Sequence, residues 1–484
     1  GTMDNFGSNH SVRPDYIKFA LIWFTPIIAL IFGLSLTYLG GLSGAAATTA
    51  AVTLWCAIWW LSEAVPIPVT SLLPLSVLPL LGALTPSEVA QSYGSPLILL
   101  LLGGFMLSGA LARSGAHKRL AMNMIRLCSR LGTRGLVLGF MLAAAGLSMW
   151  ISNTATTLML LPVALAVLED ERFRKLTVPL LLGTAYAASI GGTATPIGTP
   201  PNLIYLQVSA DQFGTAPSFP LWMSWGLPVV LLMLPLVFFW LTRAVKPGRM
   251  PAIESPGPWR TAEIRVLIIF GITALLWMTR SAPFGGWQEA LNLPMANDAA
   301  VAMLAVVLLC MIPSGNDHEP GQSSHHRSVR LLDWETAGNI PWGVLLLFAG
   351  GITLARAFME TGLSDSLAGH LTILAGMPTW LMVLCICLSV TFLTEVTSNT
   401  ATTSLLMPVL ASTAIATDLP PELLMVPAAI SASFAFMLPV ATAPNAVIYG
   451  SGKIPIRVMA REGFMLNLIG AVVITLVVLF RFGN

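Results

Sequence analysis

The chain has 484 residues, is 55% hydrophobic and 10% charged, and carries a formal net charge of +2 with a mean hydropathy of +0.80. A soluble domain needs charge on about a quarter of its residues, so this composition excludes one and specifies an all-α polytopic membrane protein. No nucleic-acid footprint, Walker A motif or zinc-protease motif is present, which argues against a nucleic-acid partner, an ATP-driven pump and a metalloenzyme alike. The five cysteines (Cys56, Cys128, Cys310, Cys385, Cys387) lie in or beside apolar runs without ligand-like spacing and read as small core hydrophobes. Gly1-Thr2 before Met3 reads as a cloning remnant, and no cleavable leader is expected.

Apolar runs of membrane length fall at 17–38, 45–62, 66–83 and 96–115. Residues 117–134 follow, where Lys118, Arg119, Arg126 and Arg130 alternate with Leu120, Met122, Ile125 and Leu127, the pattern of a helix lying in the membrane interface. One long stretch, 135–168, is followed by runs at 178–208, 219–243, 263–280, 298–312, 342–362, 377–417, 424–448 and 461–482. The loop 313–333 holds His318, His325 and His326 and reads as solvated linker, with a metal role as the minor alternative.

Two of these stretches carry the same motif. Ser152-Asn153-Thr154-Ala155-Thr156-Thr157 recurs as Ser398-Asn399-Thr400-Ala401-Thr402-Thr403, each running on to a matching Leu (Leu160, Leu406) and Pro-Val (Pro162-Val163, Pro408-Val409). The first stretch is flanked by Arg134 and by Arg172, Arg174 and Lys175, so both of its ends suit the cytoplasm. The second has no basic flank but Asp418 and Glu422 after it, so both ends suit the outside. Two re-entrant hairpins entering from opposite faces, with the other runs spanning once, give about 11 transmembrane helices and a cytoplasmic N-terminus. All Lys and Arg except Arg280, Arg356 and Arg481 then lie on the cytoplasmic side.

Further pairs repeat at nearly the same offset: Leu102-Gly103-Gly104 with Ala349-Gly350-Gly351, and Ser114-Gly115 with Thr361-Gly362. After each hairpin comes a polar break, Ile197-Gly198-Thr199-Pro200-Pro201-Asn202 and Val440-Ala441-Thr442-Ala443-Pro444-Asn445. Two halves with the same order of parts and opposite sidedness follow the inverted-repeat plan of secondary transporters. The divisions expected are 1–134 (scaffold and interfacial helix), 135–208 (hairpin and broken helix), 209–376 (linking helix, loops and second scaffold), 377–448 (second hairpin and broken helix) and 449–484 (C-terminal helix).

Irregular backbone at membrane depth survives only where protein buries it or water fills a cavity beside it. Helix N-termini there suit an anion, and carbonyl, hydroxyl and amide oxygens suit a small hard cation. None of the four breaks contains Lys, Arg or His, so a bound dianion would lack compensating charge, and co-bound cations are the expected remedy. The alternative is that these polar residues only glue neighbouring helices together. Glu63 reads as structural. For Glu395, three residues before the second Ser-Asn-Thr, proton relay and structural anchor are both open. No nucleophile–base pair or metal constellation marks an enzyme.

At these motifs the chain resembles the divalent anion/sodium symporter family of dicarboxylate, citrate and sulfate carriers. The resemblance rests on Ser148-x-x-x-Ser152-Asn153-Thr154, on Thr394-Glu395-x-x-Ser398-Asn399-Thr400 and on Ser433 to Ala441 running on to Asn445. It implies a homodimer in the inner membrane whose transport part moves as an elevator against a scaffold. It also implies one sodium site at Ser148, Ser152, Asn153 and Gly198, and a second at Thr394, Thr397, Asn399 and Ala441. Substrate carboxylates would be held by Ser152, Asn153 and Thr154 opposite Ser398, Asn399 and Thr400, with Thr199, Pro200 and Thr442 completing the wall. Ala443 stands where the first repeat has Pro200 and where many members have proline, which leaves room for an altered substrate size. The function expected is Na⁺-coupled symport of succinate, malate and fumarate, without an organic cofactor. The alternatives are an exchanger of the same fold, a citrate or sulfate carrier, and an anion channel.

Overall fold

The computed structural model describes residues 15–281, 285–315 and 329–483, and the histidine-bearing loop at 318–326 lies outside the described residues. All regular structure among them is helical. Helices α1 (Asp15–Tyr38) and α2 (Gly44–Ser62) pack on each other, and Glu63, exposed and left-handed (φ 52°), caps α2. That places Glu63 at a helix end, in keeping with a structural role. The run 66–83 is not one span. Pro66, Pro68, Pro74 and Pro79 lack the N–H that a continuous ladder needs, and the chain forms two short helices, Ile67–Thr70 and Leu73–Leu80.

From there the chain makes the same seven helices twice. The first set is α3 (Pro96–Ser114), α4 (Ala116–Ser129), α5 (Thr133–Ser148), α6 (Asn153–Leu168), α7 (Thr177–Gly191), α8 (Pro200–Phe213) and α9 (Phe219–Leu241). After α10 (Thr261–Thr279) and α11 (Asp298–Met311) comes the second set: α12 (Trp342–Glu360), α13 (Leu363–Leu371), α14 (Thr379–Leu393), α15 (Asn399–Thr417), α16 (Pro421–Ser431), α17 (Ala443–Tyr449) and α18 (Ile456–Phe482). The joint between α3 and α4 is Gly115 and that between α12 and α13 is Gly362, both at φ 78°, a conformation that suits glycine. Eight helices among the described residues are long and apolar enough to cross a bilayer: α1, α2, α3, α9, α10, α12 and α18, which are expected spans, and α15, which was expected as one arm of the second hairpin.

Each duplicated stretch is cut where the motif begins, because Ser152 and Ser398 adopt extended backbone and cap a new helix. The arms α5 and α6 have 16 residues each, about 48 Å if laid end to end, yet α7, with 15 residues and about 22 Å, packs against both. Likewise α16, with 11 residues, touches both α14 and α15. These contacts fit arms that fold back on themselves. The two repeats then exchange parts. Helix α8 packs on α15 and α16 of the other half, and α17 packs reciprocally on α6 and α7. This exchange brings both motifs to the middle of the molecule.

The interfacial helix α4 departs from expectation at one residue. Leu120, Met124 and Leu127 are exposed, as a membrane-lying face requires, and Lys118 and Arg130 are exposed beside them. Arg119, however, is only 6% exposed. Its guanidinium pairs with Glu263 at the start of α10, donates to the carbonyls of Gly257 (2.7 Å) and Pro258 (2.8 Å), and lies over the Trp259 ring. Arg260 donates to the same carboxylate at 2.9 Å. Helix α4 is therefore pinned to the linker by a buried ion cluster that a helical pattern, blind to partners more than a hundred residues away, does not show. Removing one partner leaves an unpaired buried charge. Glu263→Ala is expected to lower unfolding stability by about 3–5 kcal/mol, and Arg119→Ala/Glu263→Ala by less than the sum of the single changes, as read by thermal unfolding in detergent.

Candidate functional site

Both Ser-Asn-Thr tips open onto one cavity of about 480 Å³. Ser152, Asn153, Thr154, Gly198, Thr199 and Pro200 line it from the first repeat, and Asn399, Thr400, Thr442, Ala443 and Pro444 from the second. Trp150, at the first tip, forms part of the wall and stacks on Phe219 with ring centres 6.0 Å apart. Of the substrate residues expected, Ser398 alone is absent from the lining. Its hydroxyl accepts from the Ala401 N–H (3.4 Å), as Ser152 accepts from Ala155 (3.1 Å). The serines thus serve first as helix caps, each with a hydroxyl proton still to donate. The last threonines of each motif are turned inward: Thr157 donates to the Asn153 carbonyl and Thr403 to that of Asn399. No Lys, Arg, His, Asp or Glu lines the cavity among the described residues.

The two breaks are built alike. Pro201 has no N–H for the carbonyl of Gly198, and the Asn202 N–H goes to Thr199 instead. Pro444 stands in the same relation to Ala441, and the Asn445 N–H goes to the Thr442 hydroxyl. Neither the Gly198 nor the Ala441 carbonyl accepts a backbone hydrogen bond among the described residues, so each remains available to a ligand. The asparagines staple their loops with matching bonds. Asn202 donates to the carbonyls of Gly192 (3.2 Å) and Thr195 (2.8 Å), and Asn445 to those of Ala435 (3.2 Å) and Leu438 (3.1 Å), each pair 243 positions apart. This explains why the repeated dipeptide is Pro-Asn: one residue frees a carbonyl and the next holds the loop that presents it.

Two of the oxygens expected at the first cation site have no partner among the described residues. Ser148 is wholly buried with its Oγ unpartnered, and the Asn153 Oδ1 is buried and unpartnered too. A Cβ on Gly192 would lie 2.7 Å from that Oδ1, 3.0 Å from the nitrogen of the same amide and 3.0 Å from the Gly198 carbonyl oxygen, so the amide and the carbonyl border one small space. With the amide turned so that its oxygen leads, uncharged oxygens bordering one small space fit a small hard cation. Gly192 was not legible as a site residue, since it lies five positions before the motif and acts only by lacking a side chain. The second site is engaged with itself. Thr394 donates to the carbonyls of Val390 and Thr391, the Thr397 hydroxyl meets that of Thr402 at 2.7 Å, and Asn399 Oδ1 accepts from Thr400 at 3.3 Å. Ser148, Thr394, Thr397 and Ala441 lie behind the cavity wall rather than on it.

Glu395 is 4% exposed, and its carboxylate accepts from the N–H groups of Met437 and Leu438 (3.0 Å each) and from the Asn467 amide (2.7 Å). Asn467, on α18, also accepts from Phe436 N–H, and the Tyr186 hydroxyl donates to the Phe436 carbonyl. Glu395 thereby ties the second tip to the second break. In the first repeat the same tie runs from the Thr195 hydroxyl to the Met149 carbonyl. Asn467 sits in a run that reads as a plain span and Tyr186 in the apolar part of the first broken helix, so nothing in the sequence marked them.

The family described as Citrate transporter (CitMHS) matches residues 57–419. Proteins named sodium-dependent dicarboxylate transporter SdcS, from Staphylococcus saprophyticus subsp. saprophyticus and from Staphylococcus aureus, are 40% identical over 452 residues, which cover 89% of this chain and 85% of each relative. Two solved structures are similar in fold. The Alcanivorax borkumensis YdaH transporter has a TM-score of 0.56 at 14% identity, over 90% of this chain and 99% of that one. Neisseria gonorrhoeae MtrF has a TM-score of 0.53 at 12% identity, over 81% and 82%. The mirrored tips and breaks are therefore those of a membrane transporter and not of an enzyme, and the chain belongs to the divalent anion/sodium symporter family.

Proposed function

We propose that the protein is a Na⁺-coupled symporter that carries C4-dicarboxylates such as succinate, malate and fumarate into the cytoplasm. The observation that carries this reading is the uncharged cavity between two Ser-Asn-Thr tips, with unpartnered oxygens behind it. A dianion in such a chamber lacks protein countercharge, and cations bound alongside supply it. In this reading one cation sits among Ser148, Ser152, Asn153 and Gly198, and the second among Thr394, Thr397, Asn399 and Ala441. The carboxylates meet Ser152, Asn153 and Thr154 on one side and Asn399 and Thr400 on the other, with Ser398 acting through its cap. Thr199, Pro200 and Thr442 form the rest of the wall. The names of the relatives support sodium and dicarboxylate as the solutes. The same reading includes a homodimer in the inner membrane, a cytoplasmic N-terminus and an elevator motion of the two hairpins and broken helices.

The test is purified protein in liposomes. Succinate uptake is expected under an inward Na⁺ gradient and is expected to vanish when K⁺ or a proton gradient replaces it. Uptake without sodium, driven only by internal dicarboxylate, would identify an exchanger instead. Citrate, the solute of the matched family's description, belongs in the same assay as a competitor. Gly192→Ala provides a sharper check on the first cation site, because its methyl would stand within 3 Å of both cradle oxygens. The Na⁺ concentration for half-maximal uptake is expected to rise by about tenfold or more, with protein yield and monodispersity retained.

A further inference from the structure

We propose that Ser189 and Ser433 are specificity-determining residues of the cavity, favouring C4-dicarboxylates that carry a hydroxyl between their carboxylates over unsubstituted ones. The inference rests on the dicarboxylate reading above and refines it. Ser189 lies in the last turn of α7 and Ser433 two residues beyond α16, so each repeat contributes one. Both border the cavity, both are 1% exposed, and neither Oγ has a hydrogen-bond partner among the described residues.

Other buried helical hydroxyls that lack a partner among the described residues, such as those of Thr70, Ser148, Ser364 and Ser404, do not line the cavity, and others bond back along their helices. Thr184, in the same helix as Ser189, donates to the carbonyl four residues back at 2.8 Å. Thr353 does the same at 2.8 Å and Ser412 at 3.0 Å. Ser189 has a carbonyl at the same spacing and leaves it alone. A buried hydroxyl with no partner is unfavourable, and two bordering one ligand cavity mark groups that the ligand satisfies. The carboxylates already have the amides and hydroxyls of the two tips. The two serines sit on the segments that lead into the two breaks, outside the tip motifs in sequence, and each both donates and accepts. A substrate hydroxyl suits them, whereas a methylene leaves them unpaired. A site built to bond a substrate hydroxyl discriminates against the analogue lacking it for this reason.

The experiment is competition of labelled succinate uptake in proteoliposomes by unlabelled malate or succinate, under a fixed Na⁺ gradient. Wild-type protein is expected to respond to malate at several-fold lower concentration than to succinate. Ser189→Ala and Ser433→Ala are each expected to shrink that preference by about threefold to tenfold, and the double variant to erase it. A wild type without preference overturns the proposal, as do variants in which the ratio is unchanged or both competitors weaken equally. Thermal stabilisation of wild-type protein in detergent by malate and by succinate, at fixed NaCl, gives a readout that needs neither transport nor the variants. Stronger stabilisation by malate without Na⁺-driven uptake would sustain the serine pair and remove the symport reading. Equal stabilisation by both, or none by either, would remove the pair.

Discussion

Asn153→Ala is expected to reduce Na⁺-driven succinate uptake by about 100-fold and to raise the sodium requirement of whatever uptake remains. The reason is that the proposed reading gives one side chain two duties. Its Oδ1 is buried, unpartnered and within reach of the space shared with the Gly198 carbonyl, while the residue also lines the cavity at the head of α6. Asn399→Ala is expected to impair both dependences too. Its own Oδ1 is already engaged by Thr400 in this conformation, so the sodium shift is expected to be the smaller of the two. Asn153→Asp separates the duties. A carboxylate there keeps an oxygen toward the cation but repels a dianion, so Na⁺-dependent thermal stabilisation is expected to persist while succinate no longer adds to it. Normal sodium dependence of uptake in Asn153→Ala would refute the shared-ligand idea.

Much of this site was legible because it is written twice. The duplicated Ser-Asn-Thr and the two Pro-Asn breaks are local in sequence, and their polarity is conspicuous against an apolar background, so pattern located the tips and breaks, and the family resemblance supplied the residues of the wall. What pattern could not give is pairing across the molecule. Arg119 reads as one more interfacial cation until Glu263 is placed beside it, and Asn467 reads as one polar residue in a C-terminal span until Glu395 and Phe436 meet it. Gly192 contributes an absence, which no motif announces. The run at 66–83 is a different kind of miss. Its four prolines were in plain view, but hydropathy over a membrane-length window is insensitive to the lost N–H groups that break the helix. The division of labour within the tips was also hidden: serine as cap and the last threonines as back-bonders differ only in backbone geometry.

Glu395→Ala is expected to abolish transport by disordering the second break, and Glu395→Gln to retain reduced uptake with an unaltered pH profile. In the alanine variant two backbone N–H groups, at Met437 and Leu438, and the Asn467 amide lose their acceptor in a dry interior, at about 1–3 kcal/mol for each group left unpaired. Those residues lead directly to Ala441 and Thr442, so the loss falls on the carbonyl assigned to the second cation site in the proposed reading. Glutamine is nearly isosteric and keeps one oxygen, but its NH₂ faces a donor that formerly met a carboxylate oxygen, so the loop is loosened rather than released. Proton relay makes the opposite demand: a relay requires the acid to ionise, glutamine cannot, and uptake in the glutamine variant would vanish as completely as in the alanine one. Uptake measured against pH in both variants, at saturating Na⁺, therefore separates an anchor from a relay. The first repeat performs the same tie with a threonine hydroxyl and a backbone carbonyl, neither of which titrates, and that parallel is the physical reason to expect the anchor.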